Sequence, residues 1–258
     1  MLAIGSSAGC QALSKVIVIT GAGIGLGRAL ARRFASEGDQ VVLLGRTFSK
    51  VQAAADEIGE RALAVECDVS SPGSVRAAFA AIAQRHPRID VLINNAAVYE
   101  PFLVADASDD QIMQAVATNL CGAIFCARAA IPQMGPGSHI INVSSESVET
   151  LQLPHLSVYQ SSKAGLERFT LGLHHELEPN GIRVSTIRAG SMMEAGKVWN
   201  IAPEARMRFG AAAMAAGINL RERPLSQFTS VTGVFRTLID LPDDLHSVTV
   251  TLHARRPR

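Results

Sequence analysis

Hydrophobic positions along this chain switch between two periods. Short aliphatic and β-branched runs closed by turn residues alternate with stretches in which apolar residues recur every third or fourth position. The first pattern is that of a strand buried on both faces, the second that of an amphipathic helix. Lys15–Ile19 is the first such run and leads into glycines; Leu26, Leu30 and Phe34 then follow at helical spacing, stopped by Gly38. Val41–Leu44 predicts a second strand. The next helix has Val51, Ala54, Ala55 and Ile58 on one side, with Ser49 as its cap and Gly59 at its close. Ala62–Val65 predicts a third strand, Val75, Phe79 and Ile82 a helix, and Val91–Ile93 a fourth strand. Ser108 and Gln111 form a capping box for a long Ala-rich helix, Asp109–Met134. His139–Val143 is a fifth strand, Tyr159–Leu177 a helix and Arg183–Ile187 a sixth strand; Ser230 caps a last helix before a final strand, Val248–Leu252.

Strand–helix alternation over the whole length predicts one α/β domain, 1–258, built on a mostly parallel, doubly wound sheet. Residues 1–14 read as a flexible tail without the charged and apolar regions of a signal peptide. The least regular stretch, 191–224, holds Met192, Met193, Trp199, Met207, Phe209 and Met214. An excursion of that length between sheet elements predicts either a substrate lid or an extra helical pair packed on the core.

Composition narrows the function classes. With 48% hydrophobic and 18% charged residues in 258, the chain can bury a sizeable core and is not a disordered segment. A formal net charge of +1 gives no reason to expect a nucleic acid or an acidic membrane as partner. The runs of apolar residues fall short of the ~18 needed for a membrane span. Cys10, Cys67, Cys121 and Cys126 lack paired metal spacing, which predicts reduced thiols and a cytoplasmic location. His174-His175-Glu176 is not a zinc-binding H-E-x-x-H, because Pro179 stands at the second histidine position; a polar helix face is expected there, and no metal.

Two patterns carry chemistry. Tyr159 and Lys163 are four residues apart in a helical segment, so phenol and ammonium share one face. A nearby cation stabilises phenolate and makes the pair a candidate general acid/base. At the other end of the chain the first strand runs into Thr20-Gly21-Ala22-Gly23-Ile24-Gly25-Leu26-Gly27. Glycines between a strand and a helix let backbone amides approach a pyrophosphate, and the helix N-terminus adds positive potential. The second strand ends Leu44-Gly45-Arg46 with no carboxylate to hold a ribose hydroxyl pair, so Arg46 favours the 2′-phosphate of NADP(H), with NAD(H) as the alternative.

On these motifs the chain resembles the short-chain dehydrogenase/reductase superfamily in its conventional single-domain form, over about Val16 to Leu252. Thr20-Gly21-x-x-x-Gly25-x-Gly27 is similar to the cofactor turn of that family, and Cys67-Asp68-Val69 to its adenine-contacting segment. Asn94-Asn95-Ala96-Ala97 matches its Asn-Asn-Ala-Gly run except at Ala97; Asn119 stands at its catalytic asparagine, Ser144-Ser145 ends strand five, and Tyr159-x-x-x-Lys163 follows. The resemblance implies a Rossmann-type, seven-stranded parallel sheet in the order 3-2-1-4-5-6-7 and an oxidoreductase acting on a secondary alcohol or carbonyl. It implies Tyr159 as proton donor or acceptor and Ser145 as hydrogen-bond partner of the reacting oxygen, with Ser147 the competing serine. Lys163 would hold the nicotinamide ribose, and Asn119 a water leading to Lys163. The implied cofactor contacts are Thr20, Gly21, Gly25, Gly27, Arg46, Asp68, Val69, Asn95, Ala96, Tyr159, Lys163 and Gly190. A homodimer or homotetramer formed through the two long helices is also implied. After strand six the segment Arg188-Ala189-Gly190-Ser191-Met192-Met193-Glu194 keeps the glycine of the family but has Ala189 for its proline and Glu194 where a hydroxyl is usual. That departure motivates the rival reading of a cofactor-binding regulator without catalysis. Arg188 is open to two readings, a phosphate contact or a surface ion pair.

Overall fold

The computed structural model describes residues 14–149, 153–193 and 202–256. The strands are β1 (Val16–Thr20), β2 (Gln40–Gly45), β3 (Ala62–Glu66), β4 (Val91–Asn94), β5 (His139–Ser145), β6 (Arg183–Ala189), β7 (Met192–Met193), β8 (Ser226–Gln227) and β9 (Thr249–Thr251). The helices are α1 (Gly25–Ser36), α2 (Phe48–Ile58), α3 (Pro72–Arg85), α4 (Asp109–Val116), α5 (Gly122–Ala130), α6 (Ser157–Leu177), α7 (Pro203–Ala215) and α8 (Phe228–Ile239). Seven strands pair in parallel in the order 3-2-1-4-5-6-9, while β7 and β8 form a separate two-stranded ribbon. The order implied by the resemblance is therefore met, with β9 as the seventh strand.

Alternation along each strand builds two cores. Ile17 and Ile19 of β1, with Val41, Leu43, Val91 and Ile93, pack on one face under α1, α2 and α8. Val18, Val42, Leu44, Leu92 and Ile140 face the other way, against α3, α5 and α6. Both faces are covered, which is why the strands read as continuous apolar runs. A buried polar chain ties this second layer to the sheet: Asn94 Nδ2 donates to Asn142 Oδ1 (2.8 Å), and Asn142 Nδ2 to Thr170 Oγ1 (2.9 Å). It fixes α6 against β4 and β5.

Three local expectations are corrected. Ser49 and Ser230 do not cap their helices; α2 starts at Phe48 behind Thr47, whose carbonyl receives the Lys50 and Val51 amides, and α8 starts at Phe228 behind Gln227. The capping box of Ser108 and Gln111 is present, but the helix it opens contains a π turn over Ala117–Cys121 between α4 and α5. Such an extra residue in a helix re-aims side chains and often accompanies function. Asp109–Gln133 is also long and apolar enough by composition to cross a membrane, yet it packs on α3 and α6 as a layer of the domain. Cys67, Cys121 and Cys126 are free thiols; Cys10, most of the tail 1–14, Glu194 and Trp199 lie outside the described residues.

Among the described residues of 191–224 are β7 and α7. Met192 packs on the first core, whereas Met207 and Met214 are exposed on α7. Phe209 of α7 is buried with Leu153 and Leu156, and Tyr99, Tyr159, Ile218 and Leu220 pack around them. Phe209, Ile218 and Leu220 thus form a wall beside Tyr159.

Candidate active site

Every site residue named from the sequence lies at or just beyond the carboxyl edge of the sheet or on a helix that starts there. In open α/β sheets that edge is where ligands bind. Gly21 (φ +65°) and Gly25 (φ +59°) hold left-handed backbone that only glycine adopts without strain. A Cβ on Gly27 would fall 2.7 Å from Asn95 Nδ2 and 2.9 Å from Ala22 Cα. The helix α1 that follows has no side-chain cap at Ile24 and no acidic residue in its first turn. Its free N–H groups and positive end are therefore available to an anion, as a pyrophosphate requires.

Two of the named residues build this cradle with their side chains. Thr20 Oγ1 accepts from the amides of Asn95 and Ala96, both at 2.9 Å, and Asn95 Nδ2 donates to the Thr20 carbonyl (2.9 Å). Asp68 Oδ1 accepts from Ser70 N (3.0 Å) and Ser70 Oγ (2.6 Å), and Val69 is buried against Gly122. Arg46, one residue past β2, is exposed and makes no hydrogen bond or ion pair among the described residues. Arg188 is settled as an ion pair: it binds Glu167 with two nitrogens, at 3.0 and 2.8 Å, and also pairs with Glu149. Those carboxylates hold it above the usual guanidinium range.

The candidate reactive groups converge from β5 and α6. Burial raises the Tyr159 phenol, and the neighbouring Ser145 hydroxyl opposes that rise. Ser145 Oγ also lies 2.9 Å from Ser147 Oγ and accepts from the Ser147 amide (3.2 Å). Ser144, one residue earlier, donates instead to Glu167 (2.6 Å), as strand alternation requires. Lys163 is 2% exposed; its ammonium donates to the Val143 carbonyl (2.7 Å), and burial lowers it to about 8.

Asn119 is clamped within the fold. Seated in the π turn and 1% exposed, it accepts from the Val98 amide (2.7 Å) and donates to the Val98 carbonyl (3.0 Å) and Ser162 Oγ (3.1 Å). Its partners among the described residues are thus the backbone after β4 and the helix α6. This clamp fixes Val98 and with it Tyr99, whose ring meets Tyr159 edge-on at 4.9 Å. His155 has φ +62°, and its carbonyl accepts from Phe102 N (2.8 Å), so it shapes the loops around the site. His174, His175 and Glu178 bring ligand atoms within 4.8 Å of one another. They sit at the far end of α6 from Tyr159, roughly 20 Å along the helix, and belong to a different part of the molecule.

Comparison with known proteins decides the family: residues 15–202 match the short chain dehydrogenase family. The chain belongs to the short-chain dehydrogenases. Among its relatives, the NADP-dependent 3-hydroxy acid dehydrogenase of Salmonella typhi is 33% identical over 180 residues, 68% of this chain and 71% of the relative. A short chain dehydrogenase from Burkholderia cenocepacia, solved in complex with NADP, superposes with a TM-score of 0.78 at 25% identity, covering 93% of this chain and 96% of that one. A 3-ketoacyl-(acyl-carrier-protein) reductase from Brucella melitensis, complexed with NADH, gives 0.76 at 26% identity over 92% and 96% of the two chains. This short-chain dehydrogenase is accordingly an NAD(P)-dependent oxidoreductase acting on CH–OH groups.

Sequence reading missed Glu146, Tyr99 and Arg223 as residues of the site region. Glu146 directly follows Ser145, and a carboxylate at the end of an apolar strand was the signal available for it. Tyr99 and Arg223 carry no local signature.

Proposed function

We propose that the protein moves hydride between NADP(H) and a secondary alcohol or its carbonyl, with Tyr159 as general acid/base. The observation that carries this reading is the convergence of Ser145, at the end of β5, with Tyr159 and the buried Lys163 of α6, whose ammonium donates to the Val143 carbonyl, at the sheet edge that also bears the glycine turn. A bound dinucleotide supplies the hydride donor or acceptor, and the protein supplies orientation and a proton. The backbone at Gly21, Gly25 and Gly27 would take the pyrophosphate, Asp68 and Val69 the adenine, and Ala96 and Gly190 the remaining backbone contacts, on a cradle that Thr20 and Asn95 brace.

Tyr159 delivers a proton to the carbonyl oxygen, or takes one from the alcohol, while Ser145 donates to the same oxygen where charge develops. Burial of Tyr159 favours the protonated phenol and suits donation. Lys163, lowered to about 8 and so still mainly charged at neutral pH, would hold the ribose and favour tyrosinate. Asn119 orients Tyr99 and Ser162 around the pair. Preference for NADP(H) is supported by an exposed Arg46 with no partner among the described residues and by the absence of a carboxylate at the end of β2. The wall of Leu153, Leu156, Phe209 and Tyr99 suits a small or medium-sized, apolar substrate. A homo-oligomer formed through α4–α5 and α6, where Met113 and Leu171 are exposed, and a cytoplasmic location complete the proposal.

Tyr159→Phe tests it. We expect NADPH binding to stay within about twofold, and turnover of a secondary-alcohol and ketone panel to fall by about 10²–10⁴-fold. A variant retaining most of its activity refutes the role of Tyr159. Wild-type binding without turnover across the panel points to the regulator instead.

A further inference from the structure

Glu146 opens the one-turn 3₁₀ helix Glu146–Val148 immediately after Ser145, and its side chain is 9% exposed. Its oxygens hold three other segments of the chain. Oε1 accepts from the Ser191 amide (3.1 Å), from Ser191 Oγ (3.4 Å) and from Arg223 Nη2 (2.6 Å). Oε2 pairs with His253 Nδ1 at 3.0 Å. Ser191 leaves the end of β6, Arg223 precedes β8, and His253 follows β9. Gly190 is wedged in the same place: a Cβ there would run into the Leu252 carbonyl and lie 3.3 Å from Glu146 Oε2. Arg256 Nη2 adds a bond to the Glu222 carbonyl (3.2 Å), so the tail after β9 clasps the loop that carries Arg223. The charge of Arg223 also reaches Tyr99, which packs on Tyr159.

A buried carboxylate is costly unless paired, and an apolar residue of similar volume would pack at lower cost. Stability alone therefore does not account for an acid here. What the charge does is fix the Ala189–Ser191 turn, with both Ser191 donors satisfied, at one distance from Ser145. That turn is the segment in which this chain departs from its family pattern.

We infer that Glu146 is a positioning residue, which with Arg223 and His253 holds the Gly190–Ser191 turn in place for the nicotinamide end of the cofactor. The inference rests on the dinucleotide reading above. It is tested on the full chain with Glu146→Ala, Glu146→Gln and His253→Ala, with Tyr159→Phe as control. NADPH fluorescence titration gives Kd, ketone reduction gives kcat, and thermal melts confirm that each variant is folded at the assay temperature. Loss of the charge-assisted bonds in Glu146→Ala is expected to raise Kd about tenfold. Glu146→Gln keeps an acceptor for the Ser191 amide and should raise Kd about threefold, and His253→Ala, at the exposed partner, by less. That graded order supports the inference. If Glu146→Ala does not fold, the Gln and His253 variants decide it in the same way. Should Kd stay within about twofold of wild type in the folded variants while their melting temperatures fall, Glu146 is only structural and the inference is overturned. Absence of dinucleotide binding by the wild type overturns the inference together with the reading beneath it. Normal wild-type binding with an inactive Tyr159→Phe and unaffected Glu146 variants removes the inference alone.

Discussion

The two ends of β5 carry buried polar groups in opposite arrangements. At the carboxyl end the hydroxyls of Ser145 and Ser147 lie 2.9 Å apart beside Tyr159, with Lys163 one turn of α6 further on. At the amino end His139 is 1% exposed; its Nε2 lies 2.9 Å from Ser185 Oγ, and its ring meets that of His246 at 6.3 Å. The ring of His246 in turn meets that of His174 at a tilt, with centroids 4.5 Å apart. Both ends hold a base driven down by burial, Lys163 to about 8 and His139 to about 3. A displaced titration therefore does not by itself mark the reactive end. What separates the ends is the neighbourhood: glycine turn, uncapped helix and converging hydroxyls at one, a closed cluster of rings at the other.

The largest effect that tests this contrast is acid stability at the amino end. His139 takes up a proton at its ordinary 6.5 when unfolded but only near 3 when folded, because burial comes first and Arg183 and His246 add repulsion. The folded state thus binds fewer protons between these values. Its stability is complete above 6.5 and falls as pH drops toward 3, by about 1.4 kcal/mol per pH unit. His139→Gln should flatten urea-melt stability between pH 6.5 and 4 and leave neutral-pH kcat unchanged, since the strand separates it from Ser145 by about 20 Å. His246, also lowered by burial and by His174, leaves a residual slope. A loss of kcat in this variant would mean that the ends are coupled and that the contrast is wrong.

The same contrast explains what the sequence could disclose. The carboxyl end is written in local code: Val16–Thr20 followed by glycines, Ser144-Ser145 closing a strand, and Tyr159 four residues before Lys163. Each signal spans a few residues and needs no partner to be recognised. A parallel, doubly wound sheet followed because alternating β and α elements admit few topologies, and its strand order followed from the family resemblance of those same local motifs. The bonds of Glu146 to Arg223 and His253 join residues 77 and 107 positions apart, and no periodicity encodes such pairs. Asn119 was legible as a site residue but not as the clamp of Val98, because a π turn sets its direction. The caps at Ser49 and Ser230 failed because a serine near a helix start competes with the backbone one or two residues earlier.

A smaller effect is expected beyond the reactive hydroxyls, at the end of β2. Arg46→Asp replaces an uncommitted cation by a carboxylate that repels a 2′-phosphate and accepts ribose hydroxyls. One charge-assisted contact is worth about 1.5–3 kcal/mol. The ratio of kcat/KM for NADPH over NADH should therefore fall by about 10–100-fold, with the ketone KM little changed. An unchanged ratio would leave Arg46 as a solvated loop residue and remove the main support for NADP(H).

The smallest effect separates two serines at the reactive end. Ser145 neighbours Tyr159, whereas Ser147 reaches Ser145 through its hydroxyl and amide. Removing the Ser147 hydroxyl leaves its amide on Ser145 and costs one neutral hydrogen bond, about 0.5–1.5 kcal/mol. Ser147→Ala should therefore lower kcat less than about tenfold, and Ser145→Ala by 10² or more, because only the latter removes a donor to the oxygen where charge develops. Steady-state reduction of one ketone with both variants measures the difference. If the two fall equally, the hydroxyls act as one unit and the donor is the pair. If Ser147→Ala is the slower enzyme, the 3₁₀ turn and not the strand end supplies the reactive serine, and position at the end of β5 loses its meaning as a mark of the site.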